Sequence, residues 1–180
     1  MKKVPLCLPA IGNEEIRAVE EVLKSGWMAH GPKNQEFEDL FKGYIGVKHA
    51  ITMNSCTSAL FSSVKVMEIT GEVITPSFTF VASLNAIILA GATPVMVDID
   101  RETRNISPTC IEEAITEKTE AIMVVHYAGL PADMPAIIEI ANKHNLKIIE
   151  DAAECLGGSY NGTKQAVMAS AVSLFFLQKI

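Results

Sequence analysis

The sequence predicts an α/β protein on a mostly parallel sheet, and three patterns predict it. Apolar runs at 73–75, 93–98, 121–125 and 146–149 read as strands buried on both faces. Helix starts and stops fall between these runs, at spacings that allow right-handed crossovers. The run at 146–149 ends abruptly in Glu150 and Asp151, followed by Ala152 and Ala153. Such a strand delivers a carboxylate to the crevice where open α/β sheets bind ligands. A carboxylate there can hold a cation, a sugar hydroxyl or a protonated ring nitrogen. The plain alternative is a surface acid at the start of a loop.

In chain order, Asn13 is placed to cap a helix running to about Ser25, with Glu14 and Glu15 in its first turn and Gly26 as its stop. Ile16, Val19, Val22 and Leu23 share one face of it. A loop at 26–32 carries the single tryptophan, Trp27. A second amphipathic helix spans 33–44, with Phe37, Leu40, Phe41 and Tyr44 expected to point inward and Gly46 closing it. A short strand is expected at 49–53, then the turn Asn54-Ser55-Cys56-Thr57-Ser58 and a helix over 59–68. Free N–H groups and the helix dipole favour an anion at such a turn, although Ser and Thr there are also ordinary capping residues. After the strand ending at Pro76, Ser77-Phe78-Thr79-Phe80 leads into a helix over 81–89 stopped by Gly91. Ser107 and Pro108 open a helix to about Ile115. His126-Tyr127-Ala128-Gly129 follows the strand at 121–125, and 133–145 is helical. Gly157, Gly158, Asn161 and Gly162 mark a loop or hairpin, and 172–177 is a last strand candidate.

The 180 residues suffice for one domain with its own core. A net charge of -6 argues against a general nucleic-acid binder. Cys7, Cys56, Cys110 and Cys155 are scattered without a CxxC pair, and the four histidines lack metal spacing, so no metal site is expected. Reduced thiols in a cytoplasmic protein is the economical reading. No apolar run is long enough to span a bilayer, and nothing at the N-terminus reads as a secretory signal.

Six segments taken together carry a resemblance. They are Ser25-Gly26-Trp27 with Gly31-Pro32, the 54–60 turn, Thr75-Pro76-Ser77-Phe78-Thr79-Phe80, Gly91-Ala92-Thr93-Pro94-Val95 with Val97-Asp98, His126-Tyr127-Ala128-Gly129, and Glu150-Asp151-Ala152-Ala153-Glu154. In this order they resemble the DegT/DnrJ/EryC1/StrS sugar aminotransferases. These are pyridoxal-phosphate enzymes of the aspartate aminotransferase fold. The wording of 126–134 is similar to the branch that aminates a nucleotide-linked 4-ketopentose for lipid A modification.

The resemblance implies a three-layer α/β large domain at 47–180, preceded by a helical arm at 1–46. It implies that Asp151 pairs with the protonated pyridine nitrogen, that Cys56 and Thr57 hold the cofactor phosphate, and that Phe80 stacks on the ring. Glu154 would lie near the ring's 3-hydroxyl. Lys179 aligns with the lysine that bonds the cofactor aldehyde. The implied substrates are an amino acid, with glutamate as the expected donor, and a nucleotide-linked ketosugar in cell-envelope polysaccharide or lipid A sugar synthesis. The family forms homodimers with shared active sites. His126 would either touch cofactor or substrate or be a satisfied loop histidine.

The sequence departs from the family pattern near Lys179. Leu174 stands where the family has a phosphate-binding serine, with Ser173 one place early, and 166–169 lacks the usual glycines. Family members continue for about as long again, so the chain is expected to correspond to an N-terminal half without the small C-terminal domain. A truncated, non-catalytic remnant is therefore one alternative. Relatives that dehydrate sugars with histidine in place of the lysine are another, against which Lys179 argues. A dinucleotide-binding Rossmann domain lacks its GxGxxG.

Overall fold

The apolar runs become the strands of one parallel sheet. In the computed structural model, residues 8–160, 162–164 and 171–173 are described. Helices α1 (Asn13–Ser25), α2 (Pro32–Ile45) and α3 (Cys56–Val66) come first. Then follow β1 (Glu72–Pro76), α4 (Val81–Ala90), β2 (Thr93–Val97), α5 (Pro108–Ala114) and β3 (Thr119–Val125). A single 3-10 turn (Tyr127–Gly129) leads to α6 (Met134–His144), β4 (Lys147–Asp151), the hairpin strands β5 (Ser159–Tyr160) and β6 (Thr163–Lys164), and β7 (Ala171–Ser173). The sheet order is β2-β1-β3-β4-β7, every neighbouring pair parallel.

Period-2 alternation divides the strand residues between two cores. Val73, Ala121, Met123 and Ile149 pack with Leu60 and Val64 of α3 and with Ala86 and Ile87 of α4. Ile74, Ile122, Val124 and Ile148 pack with Ile111 of α5 and with Met134, Ile137 and Ala141 of α6. The result is the expected three layers. Each fully buried aliphatic side chain contributes about 1.5–3 kcal/mol, and this burial holds the strand ends in place. Helices α3, α5 and α6 start with hydroxyl or carboxylate caps at Ser55, Ser107 and Asp133, each accepting a backbone N–H three residues on, whereas α4 starts after Phe80 without a side-chain cap.

Several expectations require correction. Gly12, not Asn13, caps α1, and the Glu15 carboxylate accepts the Gly12 N–H at 2.6 Å. Residues 49–53 form no strand, because they find no ladder partner among the described residues. The Thr52 N–H there goes instead to the Glu38 carboxylate at 2.7 Å. The apolar face of α1 is not covered: none of its residues is buried. Phe37, Leu40 and Tyr44 of α2 are also exposed, while Phe41 packs against a small cluster of Ile45, Ala152 and Cys155. Lys179, Leu174 and residues 165–170 lie outside the described residues. Among the described residues, no helix is long and apolar enough to cross a membrane.

Candidate functional site

The C-terminal end of β4 and the N-terminus of α3 meet. Asp151 is the last residue of β4 and is buried beneath α3 and α4. Its Oδ1 accepts the Cys56 thiol at 3.6 Å and the Ala153 N–H at 3.3 Å. Its Oδ2 accepts the Ser83 hydroxyl at 2.9 Å. Two carboxylate oxygens offer about four acceptor positions, so the donors among the described residues leave one open on Oδ2. Burial pushes the Asp151 carboxyl above its ordinary value, and hydrogen bonds from the Ser83 hydroxyl, the Ala153 N–H and the Cys56 thiol oppose that rise. The Cys56 thiol is pushed up to about 12, first by its own burial and then by the Asp151 charge.

At α3 the cap is built from Ser55, whose Oγ accepts the Ser58 N–H at 3.1 Å and donates to the Ser58 hydroxyl at 2.9 Å. The N–H groups of Cys56 and Thr57 have no acceptor among the described residues. They are two of the donors that the start of a helix leaves over, and they lie at its positive end. Asp151 and Cys56, 95 positions apart in the chain, are thereby brought together.

Phe80 stands at the entry to α4, 78% exposed, three residues before Ser83. Two residues before it, Phe78 packs on Tyr127 with ring centroids 4.7 Å apart. The Glu154 carboxylate accepts the Ala128 N–H at 2.7 Å and so ties itself to the turn after β3. That turn is strained at Ala128, whose φ is 50°. Asn105 clamps it from below, accepting the Tyr127 N–H and donating to the Leu130 carbonyl, both at 2.9 Å.

His126 takes the satisfied-histidine role. It is fully buried, its Nδ1 accepts the Ala132 N–H at 3.1 Å, and its Nε2 meets the Glu150 carboxylate at 2.9 Å. An acceptor at Nδ1 leaves the ring proton on Nε2, so Glu150 is the acceptor. Alternation puts this pair on the α5/α6 side of the sheet, away from Asp151.

Sequence reading had not singled out Ser83, Thr79 as its hydroxyl partner, or Asn105. A serine within the uncharged, largely apolar segment 81–90 is the one sequence trace of the first. Among the described residues no group of three or more His, Cys, Asp or Glu could hold a metal ion.

Residues 9–179 match the model of the DegT/DnrJ/EryC1/StrS aminotransferase family. Spr1654 from Streptococcus pneumoniae, solved in a PLP form, is 33% identical over 96% of this chain and 48% of its own, with a TM-score of 0.92. DesV of S. venezuelae is 38% identical over 89% of this chain and 45% of its own, with a TM-score of 0.84. Helicobacter pylori PseC, an aminotransferase involved in the biosynthesis of pseudoaminic acid, is 32% identical over 93% of this chain and 46% of its own, with a TM-score of 0.89. The chain spans less than half the length of each of these three proteins. A family match over nearly its whole length, on the same fold, places this chain in the DegT/DnrJ/EryC1/StrS aminotransferase family.

Proposed function

We propose that this chain carries the cofactor-binding part of a pyridoxal-phosphate-dependent sugar aminotransferase. One observation carries the reading: a buried carboxylate, Asp151, touches the first residue of a helix whose first two N–H groups, those of Cys56 and Thr57, have no acceptor among the described residues. The donor set fits a ring that is cationic at one end and bears a phosphate at the other. When bound, pyridoxal phosphate supplies an aldehyde that captures amines and a cationic ring that draws off electrons.

Asp151 would keep a proton on the ring nitrogen. The backbone N–H groups of Cys56 and Thr57 would hold the phosphate. Phe80, exposed at the start of α4, would cover the ring, and Glu154 would lie on its 3-hydroxyl side. Lys179 would hold the aldehyde and, as a free amine, would accept the proton from the substrate Cα. A desolvated lysine near a cation has the lowered basicity this needs.

The substrates are an amino acid, glutamate by family analogy, and a nucleotide-linked ketosugar, with the wording of 126–134 favouring a 4-ketopentose in lipid A modification. The setting is the cytoplasm. The uncovered apolar face of α1 suits a second subunit. Incubating the full chain with pyridoxal phosphate should give a visible absorption band that borohydride removes, with the label recovered on the peptide containing Lys179. D151N should weaken binding of the cofactor without abolishing labelling. A chain that acquires no band at saturating cofactor defeats the proposal.

A further inference from the structure

Helical serines commonly bond back to their own helix, as Ser63 does to the Ala59 carbonyl at 2.8 Å in α3. Ser83 does not. Fully buried in α4, it reaches 68 positions along the chain to Asp151, and its Oγ also lies 2.9 Å from the Thr79 Oγ1. The direction of this chain of hydroxyls follows from proton counting. An ionised carboxylate only accepts, so the single Ser83 proton goes to Oδ2, and Thr79 must donate to Ser83. The Oδ1 contacts, at 3.3 and 3.6 Å, are longer than the Ser83 bond and hold the carboxylate less firmly.

We propose that Ser83, backed by Thr79, is the positioning residue of this site: a two-hydroxyl relay that fixes the rotation of the Asp151 carboxylate and presents the open side of Oδ2 to its ligand. The proposal rests on the cofactor reading above only for the identity of that ligand. Thr79 and Ser83 act through Asp151 and touch no reacting atom. The relay also favours the charged carboxylate against its burial, since bonds to the ionised form lower a carboxyl pKa. The titratable group facing Asp151 among the described residues is Cys56 from α3, and His126 at the end of β3 bonds Glu150 on the other side of the sheet. Glu150, its neighbour on β4, faces the opposite side with His126, and α4 brings no charge.

The test uses the full chain without cofactor. Its aspartates are labelled with 13C at the carboxyl, and the Asp151 resonance is identified by its loss in D151N. S83A should raise the titration midpoint of Asp151 by about one pH unit, T79V by less, and T79S, which keeps the hydroxyl, not at all. Equilibrium dialysis with pyridoxal phosphate at neutral pH should show affinity falling about tenfold in S83A and hardly at all in T79S. If S83A does not fold, T79V, which leaves Ser83 and the volume at 79 intact, reads the same shift at smaller amplitude. An Asp151 midpoint unmoved in both S83A and T79V, or moved equally by T79S and T79V, overturns the relay. A wild-type chain that binds no pyridoxal phosphate but shows the Ser83 shift supports the relay and removes the cofactor as its ligand.

Discussion

Ile149 in β4 has no exposed surface, whereas Ile16 in α1 keeps 58% of its own. Both stand on well-patterned apolar faces. The strand face is closed by α3 and α4, which the chain itself supplies through short crossovers. Nothing among the described residues closes the α1 face. Between these extremes lies α2. Its C-terminal end rests on Ala152 and Cys155, and its middle is tied to the segment at 49–53 by Glu38, which accepts the Thr52 N–H at 2.7 Å and the Thr52 hydroxyl at 2.8 Å. Amphipathic pattern says that a face wants a partner, and topology decides whether the same chain provides one.

The sharpest way to test the contrast is thiol labelling. With its pKa pushed to about 12 from an ordinary 9.0, Cys56 should carry about a thousandfold less thiolate than an ordinary cysteine. Its alkylation at pH 8, followed by mass spectrometry, should be slower by that factor than a cysteine placed on the arm by L23C. Comparable rates would mean that the site opens readily to solvent. Next in size, I149A should cost about 2–5 kcal/mol by denaturant melting, because it leaves a cavity in the core between the sheet and helices α3 and α4. A cost below 1 kcal/mol would show that the sheet is loosely packed.

E38A should cost about 1–3 kcal/mol, since it strands the Thr52 N–H and hydroxyl. The Thr52 backbone N–H, then its hydroxyl, hold the Glu38 carboxyl below its ordinary value of 4.5. The sign follows: this contribution is fully present above pH 4.5 and is lost as pH falls through the depressed folded value. In E38Q the acid-side loss of stability between those values should flatten, and an unchanged acid limb would place the effect elsewhere. Smallest of all, L23A on the exposed arm should stay within about 0.5 kcal/mol. A larger loss at high protein concentration only would reveal an intermolecular partner on that face.

Much of the fold was readable because its strands are buried on both faces and its helices begin and end with standard signals. The runs at 73–75, 93–98, 121–125 and 146–149 each became a strand within a residue or two at either end. The segment at 49–53 failed because a strand exists only with a neighbour, and local composition does not supply one. Within the site, Asp151 and Cys56 were legible from strand ends, helix starts and the family pattern. The contact between their side chains was not, nor was Ser83, whose partner lies 68 positions away.

The sequence alone settled the class of the fold and most of its elements, because periodicity and capping act over a few neighbouring residues. Tertiary structure alone decided that a serine of α4 bonds the acid of β4, that His126 turns away from that acid to Glu150, and that the first helix keeps its apolar face bare. Those outcomes depend on which distant segments are packed together, and a run of residues carries no local trace of that choice.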